Sequence, residues 1–362
     1  MKLSKQHFGL QKIGKDTVET VELLEKTGFI KQVSSGSYVY LHLMQNIINN
    51  VNDLVRRELR SADAMEIGLL QLQSADLWKA TGRLADYGDE MYKVKDRKGR
   101  ENVLVGTNEE LVTFVAANHI KSYKDLNFTW FQINNKFRDE IRAHGGLMRG
   151  KEFIMMDAYS FHDNLLSLED EYNVMRNCIV NILTSLGLDY RIEKADSGEI
   201  GGSVSEEFIV NEVEVAHIFQ LDDKYSKKLN GTYKDANNED QYFLMGCYGI
   251  GITRLIQVIA DAKRVDNFFN WGSVASYEYG IVVANGNDTV QVEAATELYQ
   301  RLRTAGKMVY LDDRGTVRLG EKLHEIDRIG TRNKVIVGKK ADQRLAELKV
   351  DGKWVEIGFD DM

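Results

Sequence analysis

The 362-residue chain contains no proline, although average usage of about 5% predicts roughly 18. Proline presets φ in turns and stops helices, so its absence removes the commonest rigidifier of loops without removing any catalytic group. Cysteine is nearly absent too. Cys178 and Cys247 are the only two, and the seven histidines are scattered, which excludes a disulfide framework and argues against a Cys/His zinc site. No stretch approaches 18 uninterrupted apolar residues, and the opening MKLSKQHFGLQKIGKD has neither an apolar segment nor a small-residue cleavage site. The expectation is a cytoplasmic protein, neither exported nor membrane-spanning. A net charge of −8, from 47 basic and 55 acidic residues, gives no whole-chain nucleic-acid signature.

What is present is an ordinary globular composition, 43% hydrophobic and 28% charged over 41.3 kDa, long enough for two or three domains. Ile47, Ile48, Val51, Leu54, Val55 and Leu59 stand at helical spacing and predict an amphipathic helix over 46–60, followed by a strand in AMEIGLLQL at 64–72. Two aromatic-rich strands, 128–140 and 152–162, flank a mobile loop at Gly145-Gly146; helical spacing returns over 165–186, with Gly187 as its C-terminal stop. The last 80 residues alternate strand, helix, strand, helix, strand, then close in a hairpin around Asp351-Gly352. This reads as an α+β antiparallel sheet flanked by helices, with a small α/β domain after a boundary near 271–278. Between Arg314 and Lys353 stand 11 basic and 6 acidic residues, making the C-terminal part the better candidate for a phosphate backbone.

Chemistry concentrates in KFRDEIRAHGGLMRGKEFIMMDAYSFH, 136–162. Arg138 and Glu140, two apart on the first strand, share a face; a guanidinium there can fork onto phosphate or carboxylate oxygens, and a carboxylate can accept from an exocyclic amine. Arg149 and Phe153 add a second cation and an aromatic plate. Taken alone, an Arg-x-Glu is a surface ion pair, but its combination with a loop and Arg-x-x-x-Phe is rare. In MGCYGIGITR, 245–254, glycine before a helix permits close approach of a ligand, and the Arg254 plane can stack on a base.

These two segments resemble motifs 2 and 3 of the class II aminoacyl-tRNA synthetases, and the helix-strand unit at 46–72 resembles motif 1, the dimer interface of that family. Over nearly the whole chain, SADLW, YKVKDRKGR, TNEE, KFRDEIR, MRGKEF, MDAYSFH, ADSGEIGGS, HIFQLDDKYS and MGCYGIG resemble prolyl-tRNA synthetase in order and spacing. The resemblance implies a catalytic domain over 1–273, an anticodon-binding domain over 278–362, a homodimer, and the substrates ATP, with Mg²⁺, proline and tRNA(Pro). It implies that Thr107 and Glu109 hold the secondary ammonium of proline, that Arg138 grips the substrate carboxylate and the α-phosphate, and that Glu140 reads the adenine amino group. Arg149 would reach the γ-phosphate, Phe153 and Arg254 would sandwich the adenine, and Phe161, His162 and Cys247 would wall the proline ring. No metal-ligating residue is assigned and no general base is required.

The chain departs from that family in three ways. An editing insertion, expected between Val210 and the HIFQ segment at 217, is absent near 210–216, so post-transfer hydrolysis of mischarged alanyl-tRNA is expected to be missing. His42, Leu70, Ser74, Gly106, Ala143, Gly272, Ser276, Leu319 and Arg332 stand where the family has proline; Leu70 puts dimer geometry in question and Gly106 adds backbone freedom beside Thr107. Asn108 and Glu206 replace histidine, His144 replaces arginine and Met156 replaces lysine. The reading is an active enzyme from which proline was removed by design or selection; the alternative is a catalytically impaired, tRNA-binding relative.

Overall fold

The computed structural model describes residues 1–14, 16–198, 200–350 and 352–362. The six apolar residues at helical spacing are buried on one side of helix α1 (His42–Ser61), which begins a turn earlier than the periodicity predicts. The strand expected over 64–72 is largely not formed. Within it β1 (Met65–Glu66) pairs in parallel with Trp130 and Phe131, and Leu72 opens a separate short strand paired with Leu104. Beyond β1, Ile67 still donates to the Phe131 carbonyl, whereas the Leu69 amide turns to the side chain of Gln132 (3.1 Å). Leu70 is 67% exposed.

The chain packs as two compact units: 1–33 with 39–50 and 259–362, and 34–38 with 51–258. Packing thus groups the first residues with the C-terminal part, a division that differs from the sequence boundary near 271–278. The second unit is built on β1, β2 (Phe128–Phe137), β3 (Glu152–His162), β4 (Arg191–Lys194), β5 (Val204–Val210), β6 (Val213–Asp222) and β7 (Leu244–Gly251). Their order is β1-β2-β3-β7-β6-β5-β4, with β1 and β2 parallel and the other neighbours antiparallel. The predicted pair of aromatic strands is therefore β2 and β3, adjacent interior strands of this sheet. β2 stops at Phe137, so Arg138 and Glu140 lie just past the strand end rather than on it.

Helices cover both faces. These are α2 (Ala75–Thr81), α3 (Arg83–Asp86), α4 (Glu109–His119), α5 (Leu165–Ser185), α6 (Lys224–Lys228) and α7 (Ile252–Lys263). α5 matches the predicted helix, and Gly187 follows it at φ +61°, the left-handed turn that glycine adopts most readily. β5 and β6 are joined by Asn211 and Glu212 alone, both at positive φ (46° and 63°), with Val210 paired to Val213. A two-residue hairpin with both central residues left-handed follows the twist of its strands. It occupies the place where an insertion was expected to be missing.

The other unit contains β8 (Tyr279–Val283), α8 (Thr289–Thr304), β9 (Val309–Asp312), α9 (Leu319–Arg328), β10 (Asn333–Val337), β11 (Leu345–Val350) and β12 (Lys353–Gly358). The strands lie in the order β9-β8-β10-β11-β12, the first three parallel and the last two added antiparallel. The expected alternation is realised, and Val350 pairs with Lys353 across the closing hairpin; Asp351 itself lies outside the described residues, as does Glu199 of the ADSGEIGGS segment. Leu3 and Leu311 donate to Leu311 and Met1 respectively, so the chain start covers the free edge of β9. Among the described residues no helix is long and apolar enough to cross a membrane.

Candidate active site

Alternation along β3 puts Phe153, Met155, Asp157, Tyr159 and Phe161 on one face and Met156, Ala158, Ser160 and His162 on the other. The second face lies under α5: Ser160 bonds the hydroxyl of Tyr248 (2.9 Å), whose ring meets Tyr172. The first face borders a cavity lined by Thr107, Glu109, Arg138, Glu140, Arg149, Phe153, Cys247 and Arg254. Residues separated by nearly 150 positions thus meet in one place, all within the second unit.

The inner end is sealed. Glu109 opens α4 fully buried, and the Thr107 hydroxyl lies 2.7 Å from each of its oxygens. Cys247 Sγ donates to Oε1 at 3.4 Å, and Arg83 Nη1 donates to Oε2 at 2.8 Å. Burial opposes ionisation of Glu109, but the guanidinium and the hydroxyl outweigh it and hold the carboxyl below its ordinary range. Burial, and then the charge on Glu109, push the Cys247 thiol well up, so it stays protonated and donates. A second network props the loop before α4. The Asn108 amide donates to Tyr159 Oη (3.0 Å), which donates to Asp157 (2.9 Å); Gln132 also donates to Asp157 and Lys136 pairs with it at 2.9 Å.

The outer end is cationic. Arg138 lies over the Phe153 ring at 5.3 Å. Arg149 Nε donates to Glu140 (2.6 Å), while Arg254 donates to the carbonyls of Met148 (3.0 Å) and Glu214 (2.9 Å). Burial, reinforced by the charges of Arg138 and Arg149, lowers the Arg254 pKa against the opposing pull of Glu214. Three guanidiniums around one opening form an anion site. At its rim Glu207, Glu214 and His217 could hold a cation. His217 Nδ1 is 3.4 Å from Glu214 and 3.6 Å from Glu207, while Nε2 meets Ser205 Oγ at 2.5 Å.

Eight of the ten residues named from the sequence are brought together here; Phe161 and His162 are not among the lining. Phe161 shares the cavity face of β3 but packs behind it against Phe128, Trp130 and Phe243. His162 points to the other face and is 2% exposed; among the described residues neither ring nitrogen has a hydrogen-bond partner. Sequence reasoning missed Arg83, Asp157, Tyr159, Glu214 and His217. Asp157 carries a readable signal, being a charge within the apolar stretch from Phe153 to Ala158; Arg83, in the turn-like TGRLADYG, carries none.

Residues 92–263 match the model of the class II tRNA synthetase core domain (G, H, P, S and T), and residues 279–351 match an anticodon binding domain. The proline–tRNA ligase of Pelagibacter ubique is 33% identical over 405 residues, covering 93% of this chain and 91% of that one. The chain belongs to the proline–tRNA ligase family. The Lysinibacillus sphaericus proline–tRNA ligase is 28% identical, with 92% of each chain covered by an alignment of 524 residues. Among solved structures, a Giardia lamblia prolyl-tRNA synthetase in complex with prolyl-adenylate superposes with a TM-score of 0.84 at 16% identity, over 94% of this chain and 74% of that one. A Cryptosporidium parvum enzyme complexed with halofuginone and AMPPNP gives 0.83 at the same identity and coverage. The fold is thus that of a class II proline–tRNA ligase: an antiparallel core followed by an anticodon-binding domain.

Proposed function

We propose that this ligase activates proline with ATP in the cavity and passes the prolyl group to tRNA(Pro), without post-transfer editing and without containing the amino acid it supplies. The observation that carries the reading is a single cavity with a buried, ionised Glu109 at one end and three guanidiniums at the other. Proline's carboxylate attacks the α-phosphorus of ATP and pyrophosphate leaves; a terminal ribose hydroxyl of the tRNA then takes the prolyl group and AMP leaves.

Thr107 and Glu109 accept the two N–H groups of the secondary ammonium, and Cys247 closes the floor. Arg138 draws the carboxylate and the α-phosphate together, Arg149 takes the γ-phosphate, and Glu140 accepts from the adenine amine between Phe153 and Arg254. Catalysis is positioning and charge stabilisation, with no enzyme nucleophile. Arg149 pairs with Glu140, so nucleotide binding exchanges that pair for adenine and phosphate contacts. Phe161 packs behind the proline pocket, whereas His162 lies on the opposite face of β3 and takes no part in it. Mg²⁺ prefers oxygen ligands, and the carboxylates of Glu207 and Glu214 fit it beside the phosphate end, where it would neutralise phosphate charge.

The domain assignment goes with this reading: catalysis over 1–273, anticodon recognition over 278–362, in a cytoplasmic homodimer for which the exposed Met65, Leu70 and Leu72 supply apolar surface. The Asn211-Glu212 turn and the length of the Lysinibacillus alignment support the absence of an editing insertion. Charging of tRNA(Pro) with proline by the purified chain tests the assignment. Arg138→Ala is expected to lower the rate about 10²-fold or more. A wild-type chain that binds tRNA but leaves it uncharged would overturn it.

A further inference from the structure

The deep end of the cavity holds more charge than proline recognition needs. Arg83 is 1% exposed at its side chain and is held between the rings of Trp78, Tyr87 and Tyr225. Its Nη1 serves two carboxylates at once: Glu109 at 2.8 Å, and both oxygens of Glu110 at 3.1 Å. Among the described residues its Nε and Nη2 have no hydrogen-bond partner. Glu110 lies behind the cavity wall, fully buried, with the Thr81 hydroxyl at 2.9 Å from Oε1. With both carboxyls ionised, the sealed cluster carries one excess negative charge. Two things can neutralise it: a proton on Glu110, or a cation in the cavity against Glu109.

We propose that Arg83 positions and charges Glu109 for the substrate ammonium, and that Glu110, bound to the same guanidinium nitrogen, releases a proton when that ammonium binds. The inference rests on the proline assignment above and adds a proton to its binding step. The O–H bond of the Glu110 carboxyl breaks, its electron pair stays on the carboxylate, and the proton leaves to the buffer. The neighbours leave Glu110 as the group that titrates. Burial, with Glu109 adding to it and Arg83 opposing, raises Glu110 to about 7, whereas Glu109 is lowered. Burial keeps the phenols of Tyr87 and Tyr225 neutral. Lys224 and Lys228 on α6 are cations tied to the carbonyls of Ile200 and Thr81.

Calorimetry of proline binding to the full chain, in two buffers of different ionisation enthalpy between pH 6 and 8.5, tests this. Wild type should release protons below neutrality and bind proline several-fold tighter at pH 8 than at pH 6; Glu110→Gln should abolish both the release and the slope. Arg83→Lys should raise the proline KM about tenfold with the ATP KM unchanged. Thermal melts give a readout independent of binding. A proton retained on folded Glu110 makes wild-type stability fall as pH rises from about 4.5 to 7, and Glu110→Gln should lose that fall. A Glu110→Gln chain that keeps the wild-type proton release, pH slope and melting profile overturns the inference while leaving proline as the substrate. A wild-type chain that does not bind proline sinks both.

Discussion

Individual buried groups here are fixed in one protonation state by identifiable neighbours. Cys247 stays a thiol because burial and Glu109 both oppose the thiolate, and Glu109 stays a carboxylate because Arg83 and Thr107 favour it. His162 has no such partner: burial lowers its pKa to about 4, with Asp163 only partly opposing. A histidine depressed in the folded state contributes stability that is complete above its ordinary value of 6.5 and is lost as pH falls towards 4. His162 therefore contributes a loss of stability as pH falls across that window, opposite in sign to the contribution of Glu110, and melts at stepped pH should show His162→Leu less destabilised by acid than wild type. The residues that carry recognisable chemistry in short motifs were legible in the sequence. Arg83 was not, because its role comes from carboxylates 26 and 27 positions away that only the fold supplies; Asp157 shows as a charge in an apolar stretch, but its partners Gln132 and Lys136 are set beside it by the fold.

At the scale of elements, the positions that the family resemblance matches to proline follow local physics. His42 bonds Tyr277 (2.7 Å), Ser74 caps the Asp76 amide and Ser276 accepts from Asn46 (3.1 Å), so each of these three side chains anchors its backbone by a bond that a proline ring could not make. Leu319 is the first residue of α9, preceded by Arg318 at φ −70°, ψ 148°, the conformation that precedes proline most readily. Gly272 instead sits at φ +58°, where a Cβ is strained and a proline ring cannot close. Leu319→Pro is expected to stabilise by about 0.4–1 kcal/mol and Gly272→Pro to destabilise by more than that, both measured by denaturant midpoints. At Gly106 an added Cβ would meet Arg138 at 3.0–3.2 Å, so a side chain there would crowd the guanidinium. Periodicity made the long helices and the central β2 and β3 readable. It misled at 64–72, where the run splits into β1 and a separate strand opening at Leu72, with the Leu69 amide between them bonded to the Gln132 side chain.

For the whole molecule, topology was legible as one antiparallel and one alternating part, while packing of residues 1–33 with the C-terminal part was not, since nothing in their sequence marks the partner. The two-residue turn between β5 and β6 leaves no chain for an inserted hydrolytic domain. Alanyl-tRNA(Pro) offered to this enzyme should persist at the uncatalysed rate; clearance as fast as by a ligase carrying that domain would contradict the editing-free reading. A chain without proline is proposed to activate proline. The most direct measurement is ATP–pyrophosphate exchange by the purified chain with proline, alanine and cysteine in parallel. The account predicts exchange that is strongest with proline and falls by about 10²-fold in Glu109→Gln, which keeps the shape and removes the charge; no exchange above background with proline, or exchange indifferent to Glu109→Gln, would contradict it.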